Sequence, residues 1–170
     1  VGKHPMHYVP ILARRFGIAE AAQREIIDEQ DLIYNRIWRE EGRLIEGARE
    51  ALDAVRAKGL PVGLATSSSG LEVEAFLERF DLAPCFDLVL SLDDVERAKP
   101  DPEMYLLAAR RLGIAPPEML VVEDSEHGVR AAKDAGAVCI VVRTPQVRPE
   151  QTSSADARID SLGELEALLG

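Results

Sequence analysis

The apolar positions in the first part of the chain repeat with the period of an α-helix. Val9, Leu12, Ala13 and Phe16 fall at i, i+3, i+4 and i+7 and run into Gly17, the pattern of an amphipathic helix and its stop. From 19 to about 41, Ile26, Ile27, Ile33, Ile37 and Trp38 recur between charged residues and predict a longer helix, in which Tyr34 and Trp38 are expected to pack rather than to bind a ligand. Nothing here alternates as a half-buried strand would, so residues 1–46 are expected to form a separate all-helical module. The segment 42–47 is the candidate linker.

Beyond it the period changes. Ala48, Ala51, Leu52 and Val55 predict one more helix, stopped at Lys58-Gly59. Short apolar runs at 62–65, 88–90, 119–122 and 138–142 then alternate with helical stretches. The first of these stretches carries Val73, Phe76, Leu77 and Phe80; the second carries Tyr105, Ala108, Ala109 and Leu112 and ends at Gly113; the third carries Val129, Ala132 and Ala135 and ends at Gly136. Buried strands alternating with helices predict an α/β fold, a parallel sheet with right-handed crossovers, over residues 47–170. The polar, proline-containing stretch 145–155 reads as a surface loop before a brief strand at 157–159 and a closing helix at 162–169.

The candidate chemistry lies where the strands run out, which is where ligands bind in open α/β sheets. Glu123 and Asp124 stand side by side at the end of an apolar run and just before a helix. Adjacent carboxylates repel one another unless a cation offsets them, and oxygen-only ligands suit Mg²⁺; the plainer use of Asp124 or Ser125 is to cap the helix. Thr66-Ser67-Ser68-Ser69-Gly70 follows the first strand, and its hydroxyls and free N–H groups suit either an anion or a serine-rich turn and cap. In Ala98-Lys99-Pro100-Asp101-Pro102, Pro102 fits the first position of a helix, Asp101 fits its cap, and Pro100 holds Lys99 extended. His127 falls in the first turn of a helix and is expected to be exposed rather than a general base.

Composition narrows the partners. Among the 170 residues, Lys and Arg number 20 against 30 Asp and Glu, a formal net charge of -10. Nucleic acids and anionic membranes both call for a basic footprint, so neither is expected as a partner. No apolar run approaches the ~20 residues that cross a bilayer. Cys85 and Cys139 sit in apolar settings without C-x-x-C spacing and are expected in the core of a reduced, cytoplasmic protein.

Glu123-Asp124-Ser125-x-x-Gly128-x-x-Ala131-Ala132-x-x-Ala135-Gly136 resembles the fourth motif of the haloacid dehalogenase superfamily, in the branch of phosphatases and phosphomutases that includes β-phosphoglucomutase. The Thr66 loop is similar to that family's second motif and Lys99-Pro100 to its third, in family order. The resemblance implies a Rossmann-like core with a partial helical cap at 1–46, and Mg²⁺ held by Glu123 and Asp124. It also implies a phosphoryl group bound by Thr66, Ser67, Ser68 and Lys99, with Thr66 and Lys99 acting in catalysis. The substrate it implies is a small phosphorylated metabolite, a sugar phosphate by the Glu-Asp pair, and a monomer is expected. Lys3 and His4, after Gly2, loosely resemble a cap loop that contacts the leaving group.

Where the family pattern carries Asp-x-Asp on a first strand, these residues hold no two Asp separated by one position. By resemblance that strand lies between those ending at Thr66 and at Glu123, so the nucleophile is expected upstream and the 170 residues are expected to be a fragment or an incomplete gene model. The readings that follow are a phosphatase working through an aspartyl-phosphate, a phosphomutase of the β-phosphoglucomutase type, or a non-catalytic phosphate-binding module. A metal-free dehalogenase is disfavoured by the paired acids.

Overall fold

A computed structural model describes residues 5–145 and 147–168, together with all their side chains except those of residues 5–8, 31, 34, 35 and 39. Lys3 and His4 therefore lie outside the described residues, as does the packing expected of Tyr34. The chain divides into two compact units, 1–43 and 44–170.

In the first unit, α1 (Pro5–Phe16) packs on α2 (Glu20–Glu41). Val9 and Ala13 are buried between them, while Leu12 and Phe16, expected on the same face, are exposed, as are Ile33 and Ile37 of α2. A 12-residue helix offers too little surface to cover both the apolar positions of a 22-residue one and its own flanks.

The second unit is the expected α/β alternation. α3 (Ala48–Ala57) leads to β1 (Gly63–Ala65), α4 (Gly70–Phe80), β2 (Leu88–Leu90), α5 (Glu103–Leu112), β3 (Leu120–Glu123), α6 (Glu126–Asp134), β4 (Val138–Val142), β5 (Ala157–Ile159) and the short α7 (Leu165–Leu168). Every pairing is parallel: β1 with β2, β3 with β4, and β4 with β5. Among the described residues the strands form two sheets, β1-β2 and β3-β4-β5, rather than one. β1 and β3 thus each use one edge only, and Leu120 and Val122 of β3 are 39% and 38% exposed.

The main core lies where α5 and α6 cover the strands. Met104, Ala108 and Ala109 of α5 and Val129, Ala131 and Ala132 of α6 meet Leu90, Val121, Cys139 and Val141 there. The small residues of α6 let the helix lie close to β3 and β4. A second cluster of Val73, Leu77, Leu82 and Cys85 gathers Phe76, Phe80 and Leu64 around it. Both cysteines are buried and free. Gly136, just past the end of α6, takes φ +84°, the left-handed turn that favours glycine. No described helix is long and apolar enough to cross a membrane.

Candidate active site

The predicted site residues lie at or after the carboxyl ends of parallel strands: the Thr66 loop directly after β1, Lys99 in the connection after β2, Glu123 as the last residue of β3 and Asp124 next to it. Lys99 joins them. Its ammonium donates to the Ala65 carbonyl at the end of β1 at 3.1 Å, to the Tyr105 hydroxyl at 2.8 Å and to Glu123 Oε1 at 2.6 Å. It also lies 4.7 Å from the centre of the Tyr105 ring. The side chains of Lys99 and Glu123 are 8% and 7% exposed, so this is a buried ion pair. Such a pair offsets its desolvation only when its remaining donors and acceptors are also satisfied. Here they are: Tyr105 donates its hydroxyl to Glu123 Oε1, while Ser125 Oγ (3.1 Å) and the Asp124 N–H (3.2 Å) reach Oε2.

Burial pushes the Glu123 carboxyl up, but Lys99 and the hydroxyls of Tyr105 and Ser125 hold it below the usual range, so it stays charged. Burial, and then the charge of Glu123, push the Tyr105 hydroxyl up and keep it protonated as a donor. Gly128 makes room for this arrangement. A Cβ there would lie 1.9 Å from the Glu123 carboxyl carbon.

The two adjacent acids therefore have different surroundings. Glu123 has both oxygens engaged with Lys99, Tyr105, Ser125 and the chain. Asp124 is exposed and its carboxylate accepts nothing from another described residue. Burial of part of the group, and then the neighbouring Glu123, push its pKa up. An unpaired carboxylate destabilised by a neighbouring anion is a fit ligand for an oxygen-seeking divalent cation. No cluster of three His, Cys, Asp or Glu able to hold a metal occurs among the described residues.

The Thr66 loop has a similar division of labour. Ser69 caps α4 through a capping box with Glu72, which accepts the Ser69 N–H at 2.7 Å and its hydroxyl at 2.9 Å. Thr66 Oγ1 accepts from the Ser68 N–H at 3.1 Å, leaving its own O–H to donate. The Ser67 N–H meets no acceptor among the described residues, and Ser67 is exposed. Ser68 is half-buried, its N–H already used within the loop. His127 is exposed, as the sequence predicts.

The helical spacing of Tyr105 with Ala108, Ala109 and Leu112 predicts a packing residue. Its side chain is buried, as expected, and its hydroxyl belongs to the site. The available signal was that a tyrosine on a buried helix face calls for a partner for its O–H, and Lys99 stands six residues earlier.

Residues 3–136 match the haloacid dehalogenase-like hydrolases. The chain belongs to this family. Over 131 residues it is 37% identical to the phosphorylated carbohydrates phosphatase of Thermotoga maritima, covering 75% of this chain and 59% of that protein. It is 42% identical over 106 residues to the phosphoglycolate phosphatase of Escherichia coli K12, covering 62% and 42%. Among solved structures it is similar to CbbY from Rhodobacter sphaeroides in complex with phosphate, with a TM-score of 0.71, 32% identity, and coverage of 85% of this chain and 65% of that one. The chain thus spans about half the length of these curated relatives.

Proposed function

We propose that this chain forms the phosphate- and metal-handling part of a Mg²⁺-dependent phosphatase acting on a small phosphorylated metabolite, a sugar phosphate by preference. The observation that carries the reading is the buried ammonium of Lys99. It is fixed between the end of β1 and Glu123, beside a loop that offers the Thr66 hydroxyl and the Ser67 N–H. Phosphoryl transfer relies chiefly on positioning and on neutralising the charge of the equatorial oxygens, and these groups supply both.

In this reading Thr66, Ser67 and Ser68 receive the phosphoryl oxygens, and Lys99 offsets their charge and that of the attacking carboxylate. Asp124 is the direct ligand of Mg²⁺, and Glu123, beside it, adds its charge to the metal site while orienting Lys99. The ion supplies charge neutralisation of the phosphoryl group. An Asp from sequence beyond these 170 residues attacks phosphorus, the bond to the leaving oxygen breaks, and that oxygen takes up a proton. Water then cleaves the aspartyl-phosphate and releases inorganic phosphate. β1 and β3 each keep one edge unpaired among the described residues, which suits a further strand carrying this Asp between them. Residues 1–46 are read as part of a cap domain, 47–170 as the core, and the buried free cysteines suit a cytoplasmic protein.

Support for the substrate class comes from the Thermotoga maritima relative, named for phosphorylated carbohydrates. The test is a panel of phosphate esters assayed with the intact protein. Sugar phosphates should give the highest kcat/KM, and a flat profile or a preference for phosphoglycolate would refute the sugar-phosphate reading.

A further inference from the structure

The Thr66 loop does not hold its shape alone. The turn that carries β2 toward Lys99 grips it from the side: the Leu92 N–H donates to the Ser68 carbonyl at 2.8 Å, and Asp93 Oδ2 accepts the Gly70 N–H at 2.8 Å. These two bonds flank Ser69, the cap of α4. The approach is close, since a Cβ on Gly70 would lie 3.1 Å from Asp93 Oδ2.

The gripping turn is itself braced. Asp94 accepts the Ser91 N–H at 2.9 Å and its hydroxyl at 3.1 Å, and lies 3.5 Å from the Arg111 guanidinium of α5. Ser91 Oγ, on a residue only 6% exposed, in turn accepts the Asp93 N–H at 3.2 Å. The Ser91 N–H holds the Asp94 carboxyl below the usual range, so it stays charged.

The start of α4 is a natural place for an anion, because its first N–H groups have no partners within the helix. Here the protein's own groups occupy those of Gly70 and Glu72, while the Leu71 N–H meets no acceptor among the described residues. Asp93 takes the Gly70 N–H, Glu72 takes that of Ser69, and Ser69 Oγ takes that of Glu72. The Ser67 N–H and the Thr66 O–H, one turn earlier, are left open.

We propose that Asp93 is a positioning residue for the phosphate loop. By closing the first N–H of α4 it fixes the Thr66–Ser69 segment and directs an incoming phosphoryl group to Thr66 and Ser67 instead of the helix end. This rests on the phosphate-handling reading above. It also couples two parts of the site, because the connection that grips the loop continues into Lys99.

The experiment measures inorganic phosphate affinity, by competition against a phosphate ester, and amide hydrogen exchange at Gly70, in the intact protein and in Asp93→Ala and Asp93→Asn. In Asp93→Ala, phosphate affinity should fall about fivefold, the worth of a typical capping bond. KM for the ester should rise in step with little change in kcat, because the loop binds ground and transition states alike. Gly70 should exchange faster. Asp93→Asn keeps an acceptor oxygen and should restore affinity to within about twofold. An Asp93→Ala protein with parental phosphate affinity overturns the proposal, even if it melts earlier, as does unchanged exchange at Gly70. Tighter phosphate binding by either variant overturns it too, by showing that the Asp93 charge repels phosphate, and so does an Asn variant as weak as the Ala one, by showing that an acceptor oxygen at this position does not hold the loop. If the intact parent binds no phosphate at all, the phosphate-handling reading fails first and takes this role with it; a parent that binds while the variants behave otherwise isolates the failure to Asp93.

Discussion

Asp124 is the residue at which stability and function pull apart. Its carboxyl is pushed above the ordinary value by burial and by Glu123, so the folded protein binds this proton more tightly than the unfolded chain does. Where the native state holds the extra proton, stability falls as pH rises, through the window between the ordinary value of 3.8 and the raised one, and stays lower above it. Asp124→Asn should therefore raise the melting temperature of the metal-free protein at pH 7, and Mg²⁺ should stabilise the parent but not this variant. Thermal melts with and without Mg²⁺ read both effects, and a variant that melts earlier than the metal-free parent would contradict the first. Glu123 behaves in the opposite sense. Its carboxyl is held below its ordinary value, so its contribution is present at neutral pH and is lost as pH falls through the folded-state value. Glu123→Gln leaves the Lys99 ammonium buried without its counter-charge and should cost on the order of 3 kcal/mol by denaturant unfolding.

At the scale of elements, two glycines of one segment do different work. Gly128 lies within α6 where any Cβ would enter the Glu123 carboxylate, so Gly128→Ala should displace Glu123, release Lys99 and lower both stability and phosphoryl transfer. Gly136 sits past the end of α6 at φ +84° with open space around it. Gly136→Ala should cost about 1 kcal/mol of stability and leave the chemistry alone. Melting curves and turnover measured on the two variants separate them, and equal losses of activity would show that Gly128 acts merely as a helix residue. The helices, the strands and their order were legible in sequence because each has a clear period and a clear stop, such as Gly113 or Gly136. The site positions were legible because strand ends followed by Thr66, Lys99 and Glu123 fall on one edge of a parallel fold. The partners were not. That Lys99 pairs with Glu123 and that Asp93 reaches Gly70 depend on separations of 24 and 23 residues, which no local pattern encodes. The exposure of Leu12 and Phe16 was hidden for a related reason: periodicity tells which face is apolar, not how much surface is present to cover it.

Over the whole molecule, the edges of β1 and β3 that pair with no strand among the described residues are the feature most exposed to failure. Backbone donors and acceptors along an apolar strand pair readily with another chain. The 170-residue chain studied by itself should self-associate, with Leu120 and Val122 at the contact, and Val122→Lys should reduce the association in sedimentation experiments. A monodisperse monomer with a cooperative melt would show that these edges are protected. The role proposed for Lys99 and Asp124 is phosphoryl transfer. Its most direct test is p-nitrophenyl phosphate hydrolysis by the intact protein, with Mg²⁺ and with EDTA, for the parent, Lys99→Ala, Asp124→Asn and the comparison variant Lys58→Ala. Hydrolysis should require Mg²⁺, fall by about a hundredfold or more in Lys99→Ala and Asp124→Asn, and stay within about twofold of the parent in Lys58→Ala. Hydrolysis that survives EDTA and both site substitutions would contradict this role.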